Sequence, residues 1–103
     1  MKILKLTETT STNDVLLAHP TPSPGEMVVA VAEYQTAGRG LAGNSWESER
    51  GKNLLFSILT SPQNIAVTDQ YVLSMAGALA LKAALDQYTG HITLKWPNDI
   101  YWR

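Results

Sequence analysis

Apolar positions along the chain fall into the order strand, helix, strand, strand, helix, strand. Ile3 to Thr7 is apolar enough for a short strand, and Thr9-Thr10-Ser11-Thr12-Asn13-Asp14 then supplies hydroxyls and an acid suited to opening a helix. Ser11 and Asp14 approximate a capping pair. The helix takes in Val15, Leu16 and Leu17 and stops near His19, because Pro20, Pro22, Pro24 and Gly25 follow and proline cannot continue a helix. Met27 to Tyr34 is an almost unbroken apolar run, as expected for a strand buried on both faces. Asn53 to Thr60 alternates, with Leu54, Phe56 and Ile58 on one face and Leu55 and Leu59 on the other.

Thr68 to about Tyr88 predicts a long helix, N-capped by Thr68 and stopped near Gly90. Its polar stripe of Gln70, Ser74, Lys82 and Asp86 is narrow, so the helix is expected to be mostly buried. His91 to Lys95 alternates again, placing Ile92 and Leu94 inward and His91, Thr93 and Lys95 on the opposite face. Pro97 and Asn98 break that strand, and Ile100-Tyr101-Trp102-Arg103 reads as another one beginning, with no turn or polar tail to finish a domain. The expectation is one incomplete domain over residues 1–103, of α/β (α+β) class, with a mixed sheet packed against helices.

Composition narrows the functions open to such a domain. With 45% hydrophobic and 17% charged residues the chain lacks the signature of disorder. A formal charge of −1 disfavours a broad grip on polyanions, so no nucleic-acid partner is expected. The absence of cysteine removes disulfides, thiolate metal sites and thiol nucleophiles, and makes the cytoplasm the expected compartment. Met1 to Leu6 is too short and polar for a signal peptide, and no apolar run reaches spanning length, so no membrane partner is expected. His19 and His91 lack metal-ligand spacing.

Gly38-Arg39-Gly40-Leu41-Ala42-Gly43 satisfies the dinucleotide fingerprint G-x-G-x-x-G after a strand. That motif should open a helix, yet Asn44-Ser45-Trp46-Glu47-Ser48 shows no helical pattern, and Thr60 and Ser61 stand where an acid should meet the ribose. The segment is expected instead to be a loop with unusual backbone angles, its glycines letting backbone N–H groups approach a ligand. Arg39 can fork onto a carboxylate or phosphate, Gln35 adds an amide at the strand end, and Trp46 can stack on a planar heterocycle. From composition alone, a glycine turn with a surface arginine and a core tryptophan is the favoured account of these residues. Lys95-Trp96-Pro97-Asn98-Asp99 sets a cation, an aromatic, a rigid turn, an amide and a carboxylate at a strand end, where sites sit in α/β domains. Taken alone, it is also an ordinary Pro-Asn-Asp turn beside a solvated lysine.

Three separated segments resemble, in order and spacing, the biotin–protein ligases: Ser11-Thr12-Asn13, Gln35-Thr36-Ala37-Gly38-Arg39-Gly40 through Trp46, and Lys95-Trp96-Pro97-Asn98-Asp99. Gly51-Lys52-Asn53-Leu54 and the Ser57 strand are similar to that family's continuation. The resemblance implies the front part of a truncated catalytic domain of the class II aminoacyl-tRNA-synthetase and biotin-ligase type. It also implies two-step chemistry, in which the biotin carboxylate attacks the α-phosphate of ATP and the biotinyl-adenylate then acylates a lysine. The acceptor would be a biotin carboxyl carrier protein domain of a biotin-dependent carboxylase. Such chemistry aligns two mutually repelling anions, so Arg, Lys and Mg²⁺ are the fitting tools.

Carried onto this chain, the resemblance places biotin against Ser11, Thr12, Asn13, Gln35, Gly38, Arg39 and Gly40. The nucleotide falls to Arg39, Gly40, Leu41, Trp46, Lys95, Asn98 and Asp99, with Arg39 and Lys95 as the catalytic cations on one anionic pocket and Asp99 on Mg²⁺. Leu41 and Asn44 stand where the family commonly carries further basic residues, which bears on how firmly the adenylate is held. The family's lysine for the biotin carboxylate and phosphate normally lies a few residues beyond the Lys95–Asp99 segment, past Arg103. These residues alone are therefore expected to show little or no ligase activity; biotin-dependent ATP–pyrophosphate exchange at ordinary rates would refute that. A homodimer is compatible with the resemblance, and no helix-turn-helix segment is expected before the catalytic region. Two rival readings stand: a lipoate or octanoate ligase or transferase, against which the Lys95–Asp99 segment speaks, and a non-catalytic fragment that retains part of a biotin pocket.

Overall fold

A computed structural model describes residues 1–40, 43–61, 69–95 and 99–102. The chain divides into two compact units, Met1–Gln63 and Asn64–Arg103.

In the first unit, β1 (Lys2–Thr9), α1 (Thr12–Leu17) and β2 (Met27–Gln35) form a β-α-β crossover, followed by β3 (Gly38–Arg39), β4 (Ser45–Trp46) and β5 (Leu55–Thr60). β1 runs parallel to β2 and β5 antiparallel to it, in the order β1-β2-β5, so the sheet is mixed as expected. The register sets Leu4 opposite Ala30 and Ala30 opposite Ser57, and Val28 opposite Leu59. Period-2 alternation therefore puts Leu4, Leu6, Val28, Ala30, Ala32, Leu55, Ser57 and Leu59 on one face. Leu16 of α1 packs there against Val28 and Ala30, ringed by Leu4, Leu6, Val15 and Leu59. Ala30 is wholly buried, its small side chain allowing the helix close to the sheet.

The expectation that β2 is buried on both faces holds for one. Val29 and Val31 are half-buried, and their neighbours Ile3 and Ile58 are 49% and 50% exposed. α1 has only six residues, about 9 Å of helix, and covers a single face. Its start is as the sequence predicts, with Ser11 capping through Oγ, which accepts from the Asp14 N–H at 3.1 Å. Its end comes at Ala18, with the His19 N–H on the Leu16 carbonyl.

In the second unit α2 (Gln70–Asp86) precedes the antiparallel pair β6 (Ile92–Lys95) and β7 (Asp99–Trp102), in which Lys95 stands opposite Asp99. The expected cap Thr68 lies outside the described residues, and Asp69 occupies the cap position without a side-chain bond. α2 is not mostly buried: Tyr71 and Leu79 are each 57% exposed, and Leu73, Leu81 and Leu85 are exposed too. A two-stranded ribbon reaches only one stripe of a helix that is apolar around most of its circumference. Ile92 is buried as expected, whereas Leu94 is 36% exposed. Among the described residues no helix is long and apolar enough to cross a membrane.

Candidate functional site

Pairing between β1 and β2 continues past their ends, with the Thr36 and Ala37 N–H groups donating to the Thr9 and Thr10 carbonyls at 2.9 and 2.8 Å. This brings the start of α1 alongside the end of β2. Thr12 opens α1, where a backbone N–H has no partner within the helix. Gln35 Oε1 accepts that N–H at 2.7 Å. Because the backbone nitrogen can only donate, the Gln35 amide orientation is fixed, with its NH₂ turned the other way.

Across the same face, Thr12 Oγ1 lies 2.6 Å from Ser57 Oγ, and Ser57 Oγ donates to Asn13 Oδ1 at 2.5 Å. A hydroxyl has one proton, so Ser57 spends its own on Asn13 and Thr12 donates to Ser57. Thr12 then offers a ligand lone pairs, and Asn13 offers its NH₂. Ser11, Thr12, Asn13, Gln35, Ser57 and Arg39 line a cavity of about 250 Å³, with Leu54 to Phe56 as its apolar wall. That is below the roughly 300–1,000 Å³ of sites for drug-sized ligands, which suits a compact polar ring better than a nucleotide. The Asn13 NH₂ and the Thr12 lone pairs can pair with a group that carries a carbonyl next to an N–H, while the Gln35 NH₂ lies near Gly38.

Arg39 sits at the cavity with its guanidinium Nη2 2.7 Å from Asp14 Oδ1, the two side chains 52% and 35% exposed. The arginine's hydrogen bond, with one from Thr10 Oγ1, holds the Asp14 carboxyl below its ordinary 3.8, while Asp14 raises the Arg39 pKa. A carboxyl shifted down supports the fold above its unfolded value and loses that contribution as pH falls through the folded one, so the pair is intact at neutral pH.

The glycine segment is partly a hairpin: β3 and β4 pair Gly38 with Trp46 and Arg39 with Ser45. Among the described residues no α-helix follows it before β5. Gly43 and Gly51 take positive φ of 79° and 69°, whereas Gly38 and Gly40 do not. The Gly40 N–H, expected to face a ligand, is used inside the hairpin by the Asn44 carbonyl at 2.6 Å. Gly38 is required for close approach: a Cβ there would stand 2.6 Å from the Trp46 carbonyl oxygen and 3.1 Å from Gln35 Nε2. Gly38→Ala is therefore expected to cost about 1–3 kcal/mol, read as a lower denaturation midpoint.

Trp46 is 65% exposed on β4, so it is not a core tryptophan, and its ring is open to stacking. Lys95 belongs to the second unit, exposed at the end of β6. Leu41, Trp96, Pro97 and Asn98 lie outside the described residues, as does the Asp99 side chain. Among the described residues no three His, Cys, Asp or Glu side chains gather as a metal site. Two participants were not picked out as site residues from sequence. Ser57 had a signal, a serine at an inward position between Leu55 and Leu59. Asp14 had none beyond its place in the helix start.

A family model described as the Biotin/lipoate A/B protein ligase family matches residues 4–103. The chain is 36% identical over 101 residues to the biotin–[acetyl-CoA-carboxylase] ligase of Mycobacterium tuberculosis, covering 90% of this chain and 37% of that protein. It is 34% identical over 76 residues to the bifunctional ligase/repressor BirA of Bacillus subtilis, covering 73% of this chain and 23% of that one. Among solved structures, the biotin protein ligase of Leishmania major in complex with biotinyl-5-AMP superposes with a TM-score of 0.81 at 30% identity, over 98% of this chain and 47% of that one. The Aquifex aeolicus biotin protein ligase in complex with biotin and ATP gives 0.77 at 35% identity, over 99% and 42%. The chain thus spans less than half the length of these relatives.

Proposed function

The chain belongs to the biotin/lipoate A/B protein ligase family, and we propose that it provides the biotin-binding part of a biotin–protein ligase. The observation that carries this is the cavity in which Thr12, Asn13, Gln35 and Ser57 fix one another's hydrogen-bonding direction. Biotin's ureido ring has a carbonyl acceptor flanked by two N–H donors. Asn13 and Gln35 NH₂ groups suit the carbonyl, and the Thr12 lone pairs suit an N–H. Arg39, which lines the same cavity, is the proposed partner of the carboxylate at the far end of the valeryl chain.

In the first step a carboxylate oxygen of biotin attacks the α-phosphorus of ATP and pyrophosphate leaves. In the second, a lysine amine of a carrier protein attacks the acyl carbon, AMP departs, and the amine loses a proton. The first step brings together two anions, and a guanidinium between them lowers their repulsion. Lys95 is proposed as a second cation for phosphate, Trp46 as the adenine platform, and Gly40 as a loop contact once the hairpin yields its N–H. Asn98, Asp99 and Leu41 remain nucleotide-side candidates by family resemblance. Mg²⁺ would neutralise phosphate charge when it arrives with the nucleotide. Among the described residues no cluster of His, Asp or Glu side chains gathers to hold it. The proposed setting is the cytoplasm, with a carboxylase carrier domain as acceptor.

Isothermal calorimetry tests this directly. Biotin is expected to bind with one site per chain, and lipoate, which lacks the ureido group, to give no heat. Silence with biotin, or equal heats from both ligands, would remove the proposal.

A further inference from the structure

Asp14 follows the Ser11-Thr12-Asn13 run on α1, and both its carboxylate oxygens are engaged. Oδ1 meets Arg39 Nη2 at 2.7 Å, and Oδ2 accepts from Thr10 Oγ1 at 2.8 Å. Thr10 is itself held through its carbonyl, which accepts the Ala37 N–H at 2.8 Å. The carboxylate is thereby aimed at the arginine rather than merely near it. Half-exposed ion pairs contribute little to folding, so stability does not account for this arrangement. A guanidinium carries five N–H donors in a rigid fork, and an arginine tied through one nitrogen still presents donors on its other edge.

We propose that Asp14 is a positioning residue, which holds Arg39 in the conformation that faces the cavity so that a ligand carboxylate meets an already ordered cation. This rests on the biotin reading above, with Arg39 as the partner of the carboxylate. Ordering a long side chain before binding removes a cost that the ligand would otherwise meet. The opposite role, a competitor that occupies Arg39 until an anion displaces it, makes the reverse prediction.

Biotin and biotinamide, which lacks the negative charge, are titrated into the wild type, Asp14→Ala, Asp14→Asn and the Asp14→Ala/Arg39→Ala double variant. Asp14→Ala is expected to weaken biotin about three- to tenfold, the equivalent of newly immobilising one long side chain, and to change biotinamide by less than about twofold. Asp14→Asn keeps an oxygen that accepts from Arg39 and should recover part of the loss. With Arg39 already replaced, removing Asp14 should change nothing further. Tighter biotin binding in Asp14→Ala, equal losses for both ligands, or a loss that persists without Arg39 would each overturn the proposal. If the wild type binds neither ligand, the biotin reading itself fails and takes this inference with it.

Discussion

Arg39→Ala is expected to weaken biotin binding about 10- to 100-fold, the range for losing a charge-assisted hydrogen bond. The effect should reside in the ligand's carboxylate, because the proposed partners of the ureido ring are Thr12, Asn13 and Gln35, which line the same cavity and are left intact. Biotinamide should therefore lose far less. Arg39→Lys should recover little, since an ammonium is a point charge without the planar fork that pairs with a carboxylate. Folding should be nearly unchanged: the guanidinium is 52% exposed and its pairing with Asp14 is solvent-screened. Titration of both ligands into the three proteins, with a thermal melt of each, checks the result. Unaltered biotin affinity in Arg39→Ala would mean that this arginine does not meet the carboxylate.

What the sequence made legible was what is local. Ser11 caps α1, Pro20 to Gly25 follow its end, and Leu55, Ser57 and Leu59 share a face of β5, all from patterns within a few residues. The mixed sheet and the family resemblance were equally legible, because motif order survives without knowing any contact. What escaped depended on pairs far apart in the chain. Asp14 and Arg39 are joined only because β1 pairs with β2 in a register that extends to Thr10 and Ala37. The use of the Gly40 N–H by Asn44 follows from hairpin closure, which no glycine count foretells. For α2, a narrow polar stripe says that a helix could be covered, and only the surrounding fold decides whether it is.

The same dependence of the site on distant packing makes Leu16→Ala the more damaging substitution. Leu16 is 5% exposed and is the side chain through which α1 meets Val28 and Ala30. Truncating it should cost about 2–5 kcal/mol, the transfer term plus the cavity left behind. Six residues of helix are too short to persist without such docking. Thr12 and Asn13 ride on α1 and reach Ser57 only while it is seated, so biotin affinity should fall together with thermal stability. Leu17, its neighbour, is 80% exposed, and Leu17→Ala should change stability by no more than about 0.5 kcal/mol and leave binding intact. Thermal denaturation followed by circular dichroism, paired with biotin titration below the midpoint, separates the two. Comparable losses at both positions would show that α1 is not anchored to the sheet through Leu16, and that the hydroxyl cluster is held some other way.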